Sequence, residues 1–303
     1  MPKASTAVAP RILKRVEPWT PERTARNVIT IRVPGVGRGW QQWFLLRSDV
    51  HHDNPKCDQK LERKHLDQAK ERNAVIIDNG DLFCAMQGKY DKRSSKDAIR
   101  PEHQGGDYLD RLVDTSFDFY EPYRKQLVVL GRGNHETAIR KSHETDLTDR
   151  LAFRLRDNGK SETTFASGYG GWVRLMLVRA GGTRRESIKL HHYHGSGGGG
   201  PVTRGVIQTN RMAVYTPDAD VILTGHTHDE WIVPVPRQRI SDGGVCFRDE
   251  VYHVRVPGYK DAWGDGDSGW EVETAKGPKP KGSAWMRLFL EEDEIKTEIT
   301  FAK

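Results

Sequence analysis

The stretch "VILTGHTHDEW", Val221 to Trp231, leads three β-favouring apolar residues and a threonine into Gly225, then sets two imidazoles one residue apart at His226 and His228. In an extended chain, residues two apart point to the same face, so both rings can reach one small volume. Gly225 lets the backbone turn sharply and approach a bound group. A bare His-x-His arises often by chance. Its meaning depends on whether other strands also end in residues that bind metals.

They do. "FLLRSD" runs into Asp49-Val50-His51, "AVIIDNGD" into Gly80-Asp81, "LVVLGRGNHE" into Gly133-Asn134-His135-Glu136, and "IKLHHYHG" into His194-Gly195. In open α/β sheets, ligands bind at the carboxyl ends of the strands. Each piece is weak alone, but five in order, each after an apolar strand pattern, form a constellation.

The surrounding pattern is that of an α/β layered domain. "QQWFLLRSD", "AVIID" and "QLVVLG" read as strands, separated by the amphipathic helices "CDQKLERKHLDQAKERN" and "DYLDRLVDTSFDFYEPYRK". "TDLTDRLAFRLRDN" is a further helix, with Leu147, Leu151 and Leu155 at i, i+4 and i+8. Beyond it the chain turns β-rich, through "WVRLMLVRA", "ESIKLHHYH", "DVILT", "EWIVPVP", "EVYHVRV", "AWMRLFLE" and "EIKTEITF". Two sheets with helices outside them are expected. Residues 27–303 are expected to form a single domain, interrupted by a polar insert at 84–106 and preceded by a flexible basic tail at 1–26.

The ordered set Asp-x-His, Gly-Asp, Gly-Asn-His-Glu, His and Gly-His-x-His resembles the signature of the calcineurin-like metallophosphoesterase superfamily, over roughly Asp49 to His228. The resemblance implies a two-sheet β-sandwich flanked by helices, in αββα layers, with two divalent metal ions along one edge. It implies Asp49, His51, Asp81 and His228 as ligands of one ion, and Asp81, Asn134, His194 and His226 as ligands of the other, with the Asp81 carboxylate bridging. "LHHYHG" offers two candidates on one face, His192 and His194. His194 is preferred because the family's fourth motif often reads His-Gly, with His192 as competitor.

Two cations about 3.5 to 4 Å apart can polarise a phosphoryl group, lower the pKa of a water between them and clamp attacking and leaving oxygens in line. Mixed imidazole, carboxylate and amide donors suit Mn, Fe, Zn, Co or Ni better than Ca, and manganese is the expected metal. By the same resemblance His135 faces the substrate, stabilising charge or protonating the leaving oxygen. His52 and Asp53 are candidates to orient ligands, and Glu136 is read as structural.

Composition bounds the rest. The chain has 303 residues, 30% of them charged, and a net charge of +6. With a mean hydropathy of -0.72 and no apolar run of spanning length, an integral membrane protein is excluded. No secretory signal is expected at the N-terminus. Cys57, Cys84 and Cys246 are odd in number and scattered, which fits a reducing cytoplasm.

Residues 1–26 hold six cations against two anions, so most of the excess charge sits in the tail. A second basic concentration, Arg174 to Arg211, includes Arg204 and Arg211 on "HGSGGGGPVTRGVIQTNR", the glycine-rich segment after His194. There glycines allow close backbone approach to phosphate, and the two arginines are the candidate substrate contacts. The expected reaction is hydrolysis of a phosphodiester, in nucleic acid or a nucleotide. A phosphomonoesterase and a non-catalytic interaction module are the alternatives; by the resemblance, non-catalytic members usually lack ligands or the substrate-facing histidine, and this chain keeps all of them.

Overall fold

The computed structural model describes residues 19–86, 98–157, 163–182, 184–198, 200, 202–267 and 270–303. In chain order it begins with β1 (Thr20–Ala25), β2 (Val28–Val36) and β3 (Gln41–Arg47), then α1 (Gln59–Glu71) and β4 (Val75–Asp78). Next come α2 (Tyr108–Tyr120), β5 (Leu127–Leu130), α3 (Asn134–His143), α4 (Leu147–Asp157) and β6 (Phe165–Ala166). The second half contains β7 (Gly170–Arg179), β8 (Arg185–Tyr193), α5 (Ile207–Tyr215), β9 (Val221–Thr224), β10 (Trp231–Ile240) and β11 (Cys246–Arg255). It closes with α6 (Trp270–Glu273), β12 (Ser283–Glu291) and β13 (Glu294–Ala302).

The strands form two mixed sheets, ordered β1-β2-β7-β8-β9-β11-β10 and β13-β12-β3-β4-β5-β6. Side-chain alternation explains how they stack. Along β3, Phe44 and Leu46 face the other sheet, where they meet Ile31, Leu175, Leu223 and Val254. Trp43 and Leu45 face outward among Leu66, Leu112 and Leu151 of α1, α2 and α4. A strand buried on both faces needs no polar side, which is why "WFLL" and "VII" are continuously apolar. On the outer face of the seven-stranded sheet, Ile222 and Val251 pack with Met212 of α5. The αββα layering therefore holds, with one thick and one thin outer layer.

Local chemistry sets the boundaries. Asp58 caps α1 by accepting the Leu61 N–H at 3.0 Å, a contact worth about 1 kcal/mol. Pro234 and Pro236 lie in β10, at a sheet edge where a missing N–H is tolerated. The fully buried Arg47 joins the strand ends: Nε lies 2.8 Å from Asp78 Oδ2 and Nη1 3.0 Å from Glu62 Oε1.

Three expectations change. The 1–26 tail is too long, because residues 20–25 pair with β2 and the buried Trp19 donates its indole N–H to the Asn73 carbonyl at 3.0 Å. Residues 1–18 and the insert residues 87–97 lie outside the described residues. The glycine-rich segment ends in a helix: α5 starts at Ile207, where the glycine run gives way to helix-compatible residues. Finally, "NHETAIRKSH" after β5 is a helix, α3, which the motif reading treated only as a site.

Candidate metal centre

The loops after β3 and β4 continue the pairing of their strands. Asp49 N–H donates to the Gly80 carbonyl at 2.9 Å, and His51 N–H to the Asp81 carbonyl at 2.9 Å. From the other sheet, Gly225 N–H donates to the His194 carbonyl at 2.8 Å. All five motifs thus meet at one edge of the sandwich. Asp49, His51, Asp81, His226 and His228 all adopt positive φ, between 49° and 75°. Left-handed backbone at five non-glycine residues is costly and persists where the surroundings enforce it.

The proposed ligands gather in two donor groups. Asp49, His51 and His228 form one, with His51 Nε2 at 3.3 Å from His228 Nε2 and His228 Nε2 at 3.4 Å from Asp49 Oδ1. Asp81, His194 and His226 form the other, with His194 Nε2 at 3.2 Å from Asp81 Oδ2. Asn134 Oδ1 joins it, 3.2 Å from His194 Nε2 and 2.8 Å from His226 Nδ1. The groups adjoin, since His194 Nε2 is also 3.9 Å from Asp49 Oδ1.

These residues fit cations. Asp49 Oδ1 is buried without a hydrogen-bond partner, and the ring nitrogens of His51 and His228 face each other. His194 Nδ1–H donates to the Asn79 carbonyl at 3.1 Å, which fixes the tautomer and turns Nε2 toward the carboxylates. Burial opposes charge on both partners, yet Asp81 and Asp49 raise His194 to about 10, and His194 in turn lowers both carboxylates. Burial and the neighbouring His135 and His228 push His51 well down. The floor of Asp49, His51, Asp81 and His194 is buried, whereas Asn134, His135, His226 and His228 are half-buried at the rim.

His192 does not share this space. Its Nε2 lies 2.9 Å from Ser167 Oγ and its Nδ1 3.2 Å from Asn79 Oδ1, so both nitrogens serve the fold. His135 stands in the first turn of α3, where its backbone N–H donates to Asp81 Oδ1 at 2.9 Å. A carboxylate at a helix N-terminus is electrostatically favoured. The His135 Nε2 is 3.8 Å from Asp81 Oδ2.

The supporting groups act through the fold and the loop backbones. His52 Nδ1 pairs with Glu62 at 2.8 Å, a contact of the fold. Asp53 accepts the Cys84 and Ala85 N–H groups at 2.5 and 2.9 Å. Glu136 accepts three backbone N–H groups, from Gly133, Asp81 and Phe83 at 2.8, 3.1 and 2.9 Å, so it shapes the loops carrying Asp81 and Asn134. Burial and Asp81 raise it to about 8. Gly133 and Gly225 leave no room for side chains. An added Cβ would lie 2.0 Å from Asp81 Oδ1 at Gly133 and 2.3 Å from Asp49 Oδ2 at Gly225.

Arg204 and Arg211 have exposed side chains. The Arg204 carbonyl accepts the Trp231 indole N–H at 3.0 Å. The arginine that does touch the Gly-His-x-His loop is Arg255, which sequence reading passed over as a strand residue. It is buried, and it donates from Nη1 to Thr227 Oγ1 at 2.8 Å and from Nε to Thr224 Oγ1 at 3.3 Å. Its position in an otherwise apolar strand end was the available signal.

Comparison with known proteins adds a family. The calcineurin-like phosphoesterase family model matches residues 43–230. Comparison with curated protein sequences finds no match. Among solved structures, the chain is similar to a predicted phosphoesterase from Streptococcus pneumoniae, with 11% identity, 87% of this chain and 91% of that one covered, and a TM-score of 0.32. It is similar to Vps29 of Entamoeba histolytica, solved with zinc, at 11% identity, 86% and 100% coverage and a TM-score of 0.32. A metallophosphoesterase from Sphaerobacter thermophilus gives 12% identity, 86% and 90% coverage and a TM-score of 0.28.

Proposed function

The chain belongs to the calcineurin-like phosphoesterase family, and on that premise we propose that it is a dinuclear metal-dependent phosphodiesterase acting on a nucleotide or nucleic acid. The observation that carries the reading is the pair of adjoining donor groups, Asp49–His51–His228 and Asp81–His194–His226, on a buried floor beneath a half-exposed rim. In this reading Asp49, His51, Asp81 and His228 hold one ion, and Asp81, Asn134, His194 and His226 hold the other. What two bound divalent ions supply is positive charge for the phosphoryl oxygens and acidification of the attacking water. Manganese is the proposed metal, with Fe, Zn, Co and Ni as alternatives that the same donors suit.

The protein's own groups do the rest. Asp81, held on the N-terminus of α3, brings its negative charge to both ligand sets. His135 commits Nδ1–H to the Cys84 carbonyl at 2.6 Å, so its exchangeable proton is held at Nε2 and given to the leaving oxygen there. Arg255 holds the loop between His226 and His228 through Thr227. Arg204 and Arg211, exposed on the segment that follows His194, are the proposed contacts for a second phosphodiester substituent or a neighbouring phosphate. The unpaired Cys57, Cys84 and Cys246 favour a reducing compartment such as the cytoplasm. No helix among the described residues is long and apolar enough to cross a membrane.

The test is metal analysis of the purified protein together with turnover of bis-nitrophenyl phosphate, nitrophenyl phosphate, cyclic nucleotides and single- and double-stranded DNA. Two metals per chain and preference for diesters are expected. Preference for nitrophenyl phosphate would instead make it a phosphomonoesterase. Metal binding without turnover of any substrate would favour an interaction module.

A further inference from the structure

The thiol of Cys84 is buried beside the centre, and neither ligand set uses it. Its Sγ forms a third donor group with one ring nitrogen each of His51 and His135, all three atoms lying within 4.8 Å of one another. The sulfur accepts a hydrogen bond from Asn54 Nδ2 at 3.2 Å, which holds it in place. The buried Nδ1 of His51 has no hydrogen-bond partner. A sulfur with two imidazoles favours borderline and soft ions over manganese, because polarisable thiolate binds them more covalently. A tetrahedral zinc bonded to S at about 2.3 Å and N at about 2.0–2.1 Å spaces such donors roughly 3.5 Å apart. The three atoms, within 4.8 Å of one another, therefore have to draw together on binding.

We propose that Cys84, His51 and His135 form a third metal seat, selective for zinc or cadmium, whose filling inhibits the enzyme. On binding, the sulfur–metal bond forms as the thiol proton leaves to solvent, and two imidazole nitrogens donate lone pairs. His135 is then unable to deliver a proton, and His51 is drawn from the Asp49–His51–His228 group. The inhibitory consequence rests on the catalytic reading above; the binding itself does not.

The experiment titrates cadmium into manganese-loaded protein in a Cys246→Ser background, which removes the exposed thiol. The expected result is one equivalent of ultraviolet cadmium–thiolate charge-transfer absorbance, rising in step with loss of turnover. Adding Cys84→Ser should abolish the band and raise the inhibitory cadmium concentration on the order of tenfold or more. Cys84→Ala serves as a second variant, with circular dichroism checking that each is folded. A band that survives both substitutions, or no band at one equivalent, would overturn the proposal. Because absorbance reads the seat without turnover, it stands or falls separately from the enzyme assignment.

Discussion

The Nδ1–H of His135 donates to the carbonyl of Cys84 at 2.6 Å, although the two residues are 51 positions apart. The loop after β4 thereby sets the orientation of a ring carried by α3. His135→Ala is expected to retain both metals, because the ring is outside both ligand sets. Turnover of a substrate with a poor leaving group should fall about 10² to 10⁴-fold, the usual worth of general acid catalysis. Nitrophenolate leaves without a proton, so nitrophenyl substrates should suffer less. Metal loss in the variant, or full activity on the poor leaving group, contradicts the assignment.

The carbonyl that orients His135 is itself held. Asp53 takes the N–H groups of Cys84 and Ala85, and Ala85 sits at φ 48°, a conformation needing support. Asp53→Asn replaces one acceptor oxygen with a donor facing another donor. We expect metal content to persist while turnover on poor leaving groups drops on the order of 10²-fold through misplacement of His135. Combined with His135→Ala, the substitution should cost little more. Additive losses would mean that Asp53 acts elsewhere.

Metal analysis separates the histidines of "LHHYHG". His194→Ala should lose metal and abolish activity, whereas His192→Ala, which frees Ser167 and Asn79, should act on stability and leave metal content near two. Under the proposed bridge, Asp81→Asn should reduce occupancy of both sites. Loss of a single ion with the other fully retained argues against the bridge.

Acid should destabilise the fold through its buried neutral histidines. Burial pushes His65 down to about 4 and His192 down to about 3. Both remain neutral in the folded chain, whereas in the unfolded chain each takes up a proton near about pH 6.5. At these two groups the unfolded state binds more protons below about 6.5, so their contribution is fully present above that pH and is lost toward about 4 for His65 and about 3 for His192. Urea unfolding midpoints across this range should fall with pH, and less steeply in His192→Gln. A flat profile would show that the buried histidines do not set acid stability.

The five strand-end motifs and most strands were legible in the sequence, because apolar periodicity and turn residues act within a few positions along the chain, and the αββα layering was implied by the family resemblance those motifs carry. β1 was not: "TPERTA" has no apolar alternation, and its strand form comes from pairing with β2 at a sheet edge. The helix at "NHETAIRKSH" was hidden because its start depends on Glu136 folding back onto Gly133. Only tertiary structure gives His192 and His194 different neighbours: the Nε2 of the first meets Ser167, and that of the second meets Asp81. It also brought Arg255 to Thr227 and Cys84 to His51 and His135, and imposed left-handed backbone on five candidate ligands. Such contacts join residues tens to hundreds of positions apart, where local pattern carries no information. Sequence thus determined which chemistry the strands deliver, and the packing of two sheets decided which atoms meet.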